Sequence, residues 1–130
     1  MFRLIKVLNG NNQCETIKFP YDPSATITYG SALICSNGNL TNPSGTALPE
    51  FISVCDKNDS TKNTIDAILV TEDMIFKVEY TGNITPYVGM SVGIAAHKGK
   101  SDGVTNNSSG KGLIVGIEDD KKLVHVRFRK

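Results

Sequence analysis

The chain has no tryptophan, two histidines, three cysteines and a formal net charge of only +1. Each scarcity removes a class of function. Fourteen Lys and Arg residues balance thirteen Asp and Glu residues. That leaves no electrostatic case for general binding to nucleic acid or membrane. No apolar run approaches membrane-spanning length. Cys14, Cys35 and Cys55 are odd in number and widely spaced, with no Cys-x-x-Cys pair. They cannot close a full disulfide set and do not form a zinc or redox motif; the expectation is small buried hydrophobes without a structural disulfide. The segment Met1–Leu8 is too short and too interrupted for a signal peptide. The expectation is a soluble chain made in a cytoplasm.

Catalytic patterns are scarce too. Zinc would need four ligands at suggestive spacing, and His97 and His125 stand alone. A histidine dyad would need a nucleophile within hydrogen-bond reach, which nothing in the spacing supplies. The stretch Gly103 to Gly112 superficially resembles a phosphate loop. Six residues separate Gly103 from Gly110, however, and Lys111 is followed by Gly112 rather than Ser or Thr. An apolar strand follows where a helix should, so 97–111 reads as a long, polar, mobile surface loop. Asp119–Asp120 marks a turn, and no carboxylate pair stands out as glycosidase-like. No catalytic, metal-ligating or cofactor-binding residue is assigned; the expectation is a protein that is not an enzyme and needs no cofactor.

What the chain does have is strand grammar. Its 130 residues fit one domain, 1–130, and a 39% apolar fraction can build a core. The organising stretch is Gly30 to Val54. An apolar strand, Ala32–Cys35, meets Asn37–Gly38, a pair suited to a two-residue hairpin. A second turn at Asn42–Ala47 follows, with Gly45 expected at positive φ, and then the strand Leu48–Val54. Before it, residues 2–8 and 14–19 read as a hairpin around Asn9–Asn12, so residues 1–24 form an N-terminal arm or hairpin. After it come Thr64–Val70 and Met74–Tyr80, the latter alternating cleanly with Met74, Phe76, Val78 and Tyr80 on one face. In Val88–Ala95, Val88, Met90, Val92 and Ile94 point one way. Gly89, Ser91, Gly93 and Ala95 point the other, a face small enough for a backbone to approach closely. Gly112–Glu118 and Leu123–Arg129 complete nine or ten strands with no convincing helix. The fold class is all-β, a small barrel-like or sandwich domain of short antiparallel strands, β-tulip or SH3-like.

Both chain ends are locally basic, with Arg3 and Lys6 at one and Arg127, Arg129 and Lys130 at the other. Alternation with apolar residues makes a solvated strand face the plain reading. Contact with an acidic partner surface is the functional one.

The pattern Gly30-x-Ala32-Leu33, Gly38-x-Leu40, Ser44-Gly45-Thr46-x-x-x-Pro49-x-Phe51-Ile52-x-Val54 resembles the head decoration (auxiliary, capsid-stabilising) proteins of tailed bacteriophages. The later Val88–Gly89 strand, the Ser109–Gly110 turn and the final basic strand fit the same pattern. The resemblance covers most of the chain and rests on turn and alternation grammar. It implies a non-enzymatic virion protein on the capsid exterior, made in the host bacterial cytoplasm. Such a protein binds the major capsid protein of an icosahedral head and clamps neighbouring subunits against internal DNA pressure. It often self-associates, with a trimer favoured and a dimer possible. Its contact candidates here are Phe2 as apolar anchor, with Arg3, Lys6, Arg127, Arg129 and Lys130. No membrane and no direct nucleic-acid contact is expected. The alternatives are another tail or head-fibre component, or an OB- or SH3-like nucleic-acid-binding barrel. The latter would need surface aromatics beside basic residues.

Overall fold

A computed structural model describes residues 1–8, 16–57, 64–97, 100–118 and 122–129. Among them are eleven strands and no helix longer than an isolated turn. The strands are β1 (Arg3–Val7), β2 (Ile17–Pro20), β3 (Ala32–Ser36), β4 (Asn39–Thr41), β5 (Phe51–Ser53) and β6 (Thr64–Leu69). They continue as β7 (Met74–Tyr80), β8 (Ser91–His97), β9 (Lys100–Asn106), β10 (Gly112–Ile117) and β11 (Leu123–Phe128).

One sheet runs β1-β7-β11-β10-β8-β9. A parallel pairing of β7 with β9, through Glu79↔Gly103 and Tyr80↔Val104, closes five of these strands into a barrel. That pairing uses the last residues of β7, while β1 pairs with Met74–Lys77 of the same strand. The second sheet runs β2-β6-β5-β3-β4, and an isolated parallel bridge between Tyr21 and Leu40 draws its two ends together. The barrel-like all-β expectation holds, with these two parallel pairings set among antiparallel ones.

The strands β3, β5 and β6 lie between two apolar clusters. Ala32, Ile52 and Ile68 join the large cluster, which also holds Phe2, Phe76, Val92, Val104, Val126 and Phe128. Their neighbours Leu33, Phe51, Ala67 and Ile65 point the other way, into a smaller cluster with Ala25, Ile27 and Leu40. A strand buried on both faces reads as a continuous apolar run rather than an alternating one. The run Phe51–Ile52–Ser53, buried throughout, is the direct consequence. The strand β7 shows the other case, with strict alternation of buried and half-buried residues as its sequence pattern requires.

Local turn chemistry is as expected at Asn37–Gly38, with φ of 53° and 82° linking β3 to β4. The small-residue face of β8 also works as anticipated. A Cβ on Gly93 would stand 2.1 Å from the carbonyl oxygen of Gly45, so the 42–47 turn lies directly on that strand.

Four expectations are corrected. Residues 2–8 and 14–19 do not pair as a hairpin: β1 pairs with β7 and β2 pairs with β6. The Asn9–Asn12 turn and Cys14 lie outside the described residues. The two strands serve different clusters: β1 and the residue before it carry Val7 and Phe2 into the large one, while Phe19 of β2 packs on the small one. The supposed loop 97–111 contains β9, which closes the barrel. Its strand character was hidden because Val104 is its only large apolar residue, and the buried Ser101 instead donates to the Ala32 carbonyl at 2.7 Å. Val88 is not inward. It is 64% exposed at the tip of the turn Tyr87–Met90, where Gly89 takes φ +96°. Gly45 does not adopt positive φ; its role is the close approach to Gly93.

Candidate functional site

The basic residues singled out at the chain ends converge because β1 and β11 flank β7 on opposite sides. Residues paired across a sheet share a face. Arg3 pairs with Lys77, and Lys77 pairs with His125, so the three form one row across the outer surface. The next row carries Lys6 opposite Ile75, and Arg127 lies one position beyond the Val126↔Phe76 pair. Arg129 follows the end of β11, exposed, with its amide donating to the Lys111 carbonyl at 2.9 Å.

Lys6 reaches this face through a bulge. Simple alternation from Phe2 and Leu4 would turn Lys6 inward. The register shifts between Leu4 and Lys6, leaving Ile5 as the extra residue. A bulge changes which way the following side chains face. Lys6 therefore points outward beside Arg3, and Val7 enters the core at 6% exposure.

The electrostatics of the face are uneven. Glu118 accepts from Lys77 at 3.0 Å and lies 3.2 Å from His125 Nε2. Those contacts, Lys77 first and His125 second, hold the Glu118 carboxyl below the usual carboxylate range. Glu79 is bound by the α-ammonium of Met1, which also donates to the Asp102 carbonyl at 2.5 Å. Arg127 spends its guanidinium on the Glu72 carbonyl at 2.8 and 3.0 Å. Arg3, Lys6 and Arg129 are exposed positive charge without an ion-pair partner among the described residues.

The structure thus groups Arg3, Lys6 and Arg127 on one surface with Arg129 at its edge. Lys130 lies outside the described residues. Phe2 is not an anchor on this surface. It is 1% exposed and packs against Phe76 and Phe128, with ring centroids 6.2 and 5.7 Å apart. A large aromatic at the head of a strand is worth most in the core. Its removal there costs about 3–5 kcal/mol, so Phe2→Ala reports on folding rather than contact. Lys77, His125 and Glu118 belong to the face and were not legible as such. The alternation of β7 marks Lys77 as outward, but only the β1–β7–β11 register brings it beside Arg3.

No group of three or more His, Cys, Asp or Glu side chains suited to a metal ion occurs among the described residues. The cysteines are not the buried hydrophobes expected: Cys35 lies exposed as a free thiol near the end of β3, and Cys55 is half-buried, its sulfur accepting from the Asp66 amide at 3.4 Å. A hollow of about 670 Å³ lies beside the β6–β7 turn and is floored by Leu48, Pro49, Val70 and Phe128.

Compared with known proteins, the chain matches no family model, no curated protein and no solved structure.

Proposed function

We propose that this protein is a virion structural module that docks on the outer surface of an icosahedral phage head through the β1–β7–β11 face. The observation that carries the reading is the cluster of exposed cations Arg3, Lys6 and Arg129, without ion-pair partners among the described residues, around Lys77 and Arg127. Such a patch steers and orients against an acidic protein surface. The face presents Ile5, Ile75 and Leu123 among the cations and no Phe, Tyr or Trp. A single-stranded nucleic acid would want aromatic platforms there, so this feature favours a protein partner, the major capsid protein. One small face offers limited area against the roughly 1,000 Å² that a specific interface needs. Self-association, with a trimer favoured, would multiply weak contacts through avidity. The decoration family resembled by the Gly30–Val54 block supplies the identity of the assembly.

A decoration site is built from neighbouring coat subunits and exists only in the assembled shell. Sedimentation of the purified protein with mature heads and, separately, with free coat subunits tests this. Co-sedimentation with heads alone is expected. Equal binding to free subunits would remove the lattice requirement, and no binding to heads would remove the function.

A further inference from the structure

The hollow between the β7–β8 and β9–β10 links is chemically different from the basic rows beside it. Segment 81–90 links β7 to β8, and 107–111 links β9 to β10. From Thr81 to Ser91 and from Gly103 to Gly110 the sequence contains no charged residue and no histidine. Between them lies a hollow of about 600 Å³ walled by Ile84, Tyr87, Met90, Ser91, Asn106 and Ser108. That size suits a small ligand.

Both walls are held in place. Tyr80, whose hydroxyl lies in the protein, donates to the Ile84 carbonyl at 2.5 Å. Met90 N–H donates to the Tyr87 carbonyl at 3.1 Å, and Gly89 N–H to Ile114 at 2.9 Å. Across the hollow, Asn107 N–H donates to the Ser91 carbonyl at 3.1 Å, and Asn107 Oδ1 accepts from Ser109 N–H at 3.0 Å. Ile84 and Tyr87 nevertheless stand 54% and 58% exposed. Fixed backbone carrying exposed apolar side chains is arranged before any ligand arrives, which lowers the ordering cost of binding.

The polar groups of the walls are unspent. Tyr87 Oη, Ser91 Oγ, Ser108 Oγ and Asn106 Nδ2 make no hydrogen bond to any described residue. An aromatic face and an aliphatic side chain stand beside convergent hydroxyl and amide groups, and no charged side chain lines the hollow. A ligand matching that surface has one C–H-rich face, a ring of hydroxyls and no charge. We propose that this hollow binds a neutral saccharide, with Tyr87 and Ile84 against the apolar face of a sugar ring and Asn106, Ser91 and Ser108 bonding its hydroxyls. The site goes beyond head docking. Its wall residue Ser91 shares a cross-strand row with Leu113 and Arg127, about 10 Å from Arg127 across two strand spacings, so the hollow borders the basic face while its own lining is distinct from it.

The test uses the full-length ¹⁵N-labelled protein without any capsid, so its outcome is independent of the docking reading. Glucose, galactose, mannose and N-acetylglucosamine are titrated separately to about 50 mM while amide shifts are followed. At least one sugar is expected to produce saturable shifts confined to residues 84–91 and 105–109, with a Kd of about 1–10 mM. Tyr87→Ala should weaken that binding by about tenfold or more, and Val88→Ala, outside the hollow, should leave it unchanged. Should Tyr87→Ala disturb the turn, Asn106→Ala reads the same loss from the opposite wall. Absence of saturable shifts with all four sugars overturns the proposal, as do shifts elsewhere or undiminished binding by the wall variants. Concentration-dependent shifts of these amides without sugar would assign the end to contact between copies and would also overturn it.

Discussion

Gly93 and Gly38 show how differently two glycines can matter. Gly38 needs its positive φ of 82° but has open space around its missing Cβ. An alanine there costs about 1–2 kcal/mol in backbone strain. At Gly93 the obstacle is main chain, the Gly45 carbonyl at 2.1 Å from a Cβ, which cannot swing aside like a side chain. Overpacking of this kind costs about 1–3 kcal/mol or more, and here it would separate the 42–47 turn from the barrel. Urea unfolding should therefore give a lower midpoint for Gly93→Ala than for Gly38→Ala; the reverse order would mean that the turn yields easily. Glu118 supplies a second residue-level test. Its carboxyl is held below the usual range by Lys77 and His125, so the ionised form is favoured by the fold. A depressed folded-state pKa contributes stability that is present above the unfolded value and lost as pH falls through the folded one. The parent should lose stability below pH 4.5, the ordinary glutamate value, more steeply than Glu118→Gln. Parallel acid-unfolding curves for the two proteins would show that the triad adds nothing.

At the scale of elements, legibility followed where apolar side chains go. The strand β7 could be read residue by residue because one of its faces is core and the other solvent. The β3–β4 hairpin could be read from Asn37–Gly38 alone. The strand β9 could not, because Ser101, Asp102 and Gly103 are buried without being apolar. Hydrogen bonding and closure of the β7–β9 seam, rather than side-chain hydrophobicity, place that strand. If so, amide hydrogen exchange in β9 should be slow, with Val104 and Asn106, paired to Ile94 and Val92, protected at levels near those of β8. Exchange at the rate of an open loop would contradict the seam and restore the loop reading of 97–111. The partners of β1 and β2 were illegible for another reason. A turn signal such as Asn9–Gly10 argues for pairing of its neighbours, yet Phe2 and Val7 join Phe76 and Phe128 in the large cluster, a long-range contact that no local signal encodes.

At the scale of the molecule, the candidate surface was half legible. Arg3, Lys6, Arg127 and Arg129 stood out as basic ends, and the sheet order makes them neighbours. The burial of Phe2, the outward turn of Lys6 at the bulge and the addition of Lys77 and His125 all depend on register, which no local pattern encodes. The central claim is that this face is the seat on the head. The most direct measurement is the affinity for mature heads of the parent and of Arg3→Glu/Lys6→Glu, both exposed positions outside the core, with circular dichroism confirming equal folding. The expected result is a loss of about tenfold or more in the variant, about 1.4 kcal/mol, and weaker parental binding at raised salt. Equal affinity of the two proteins for heads, at low and at high salt, would contradict it.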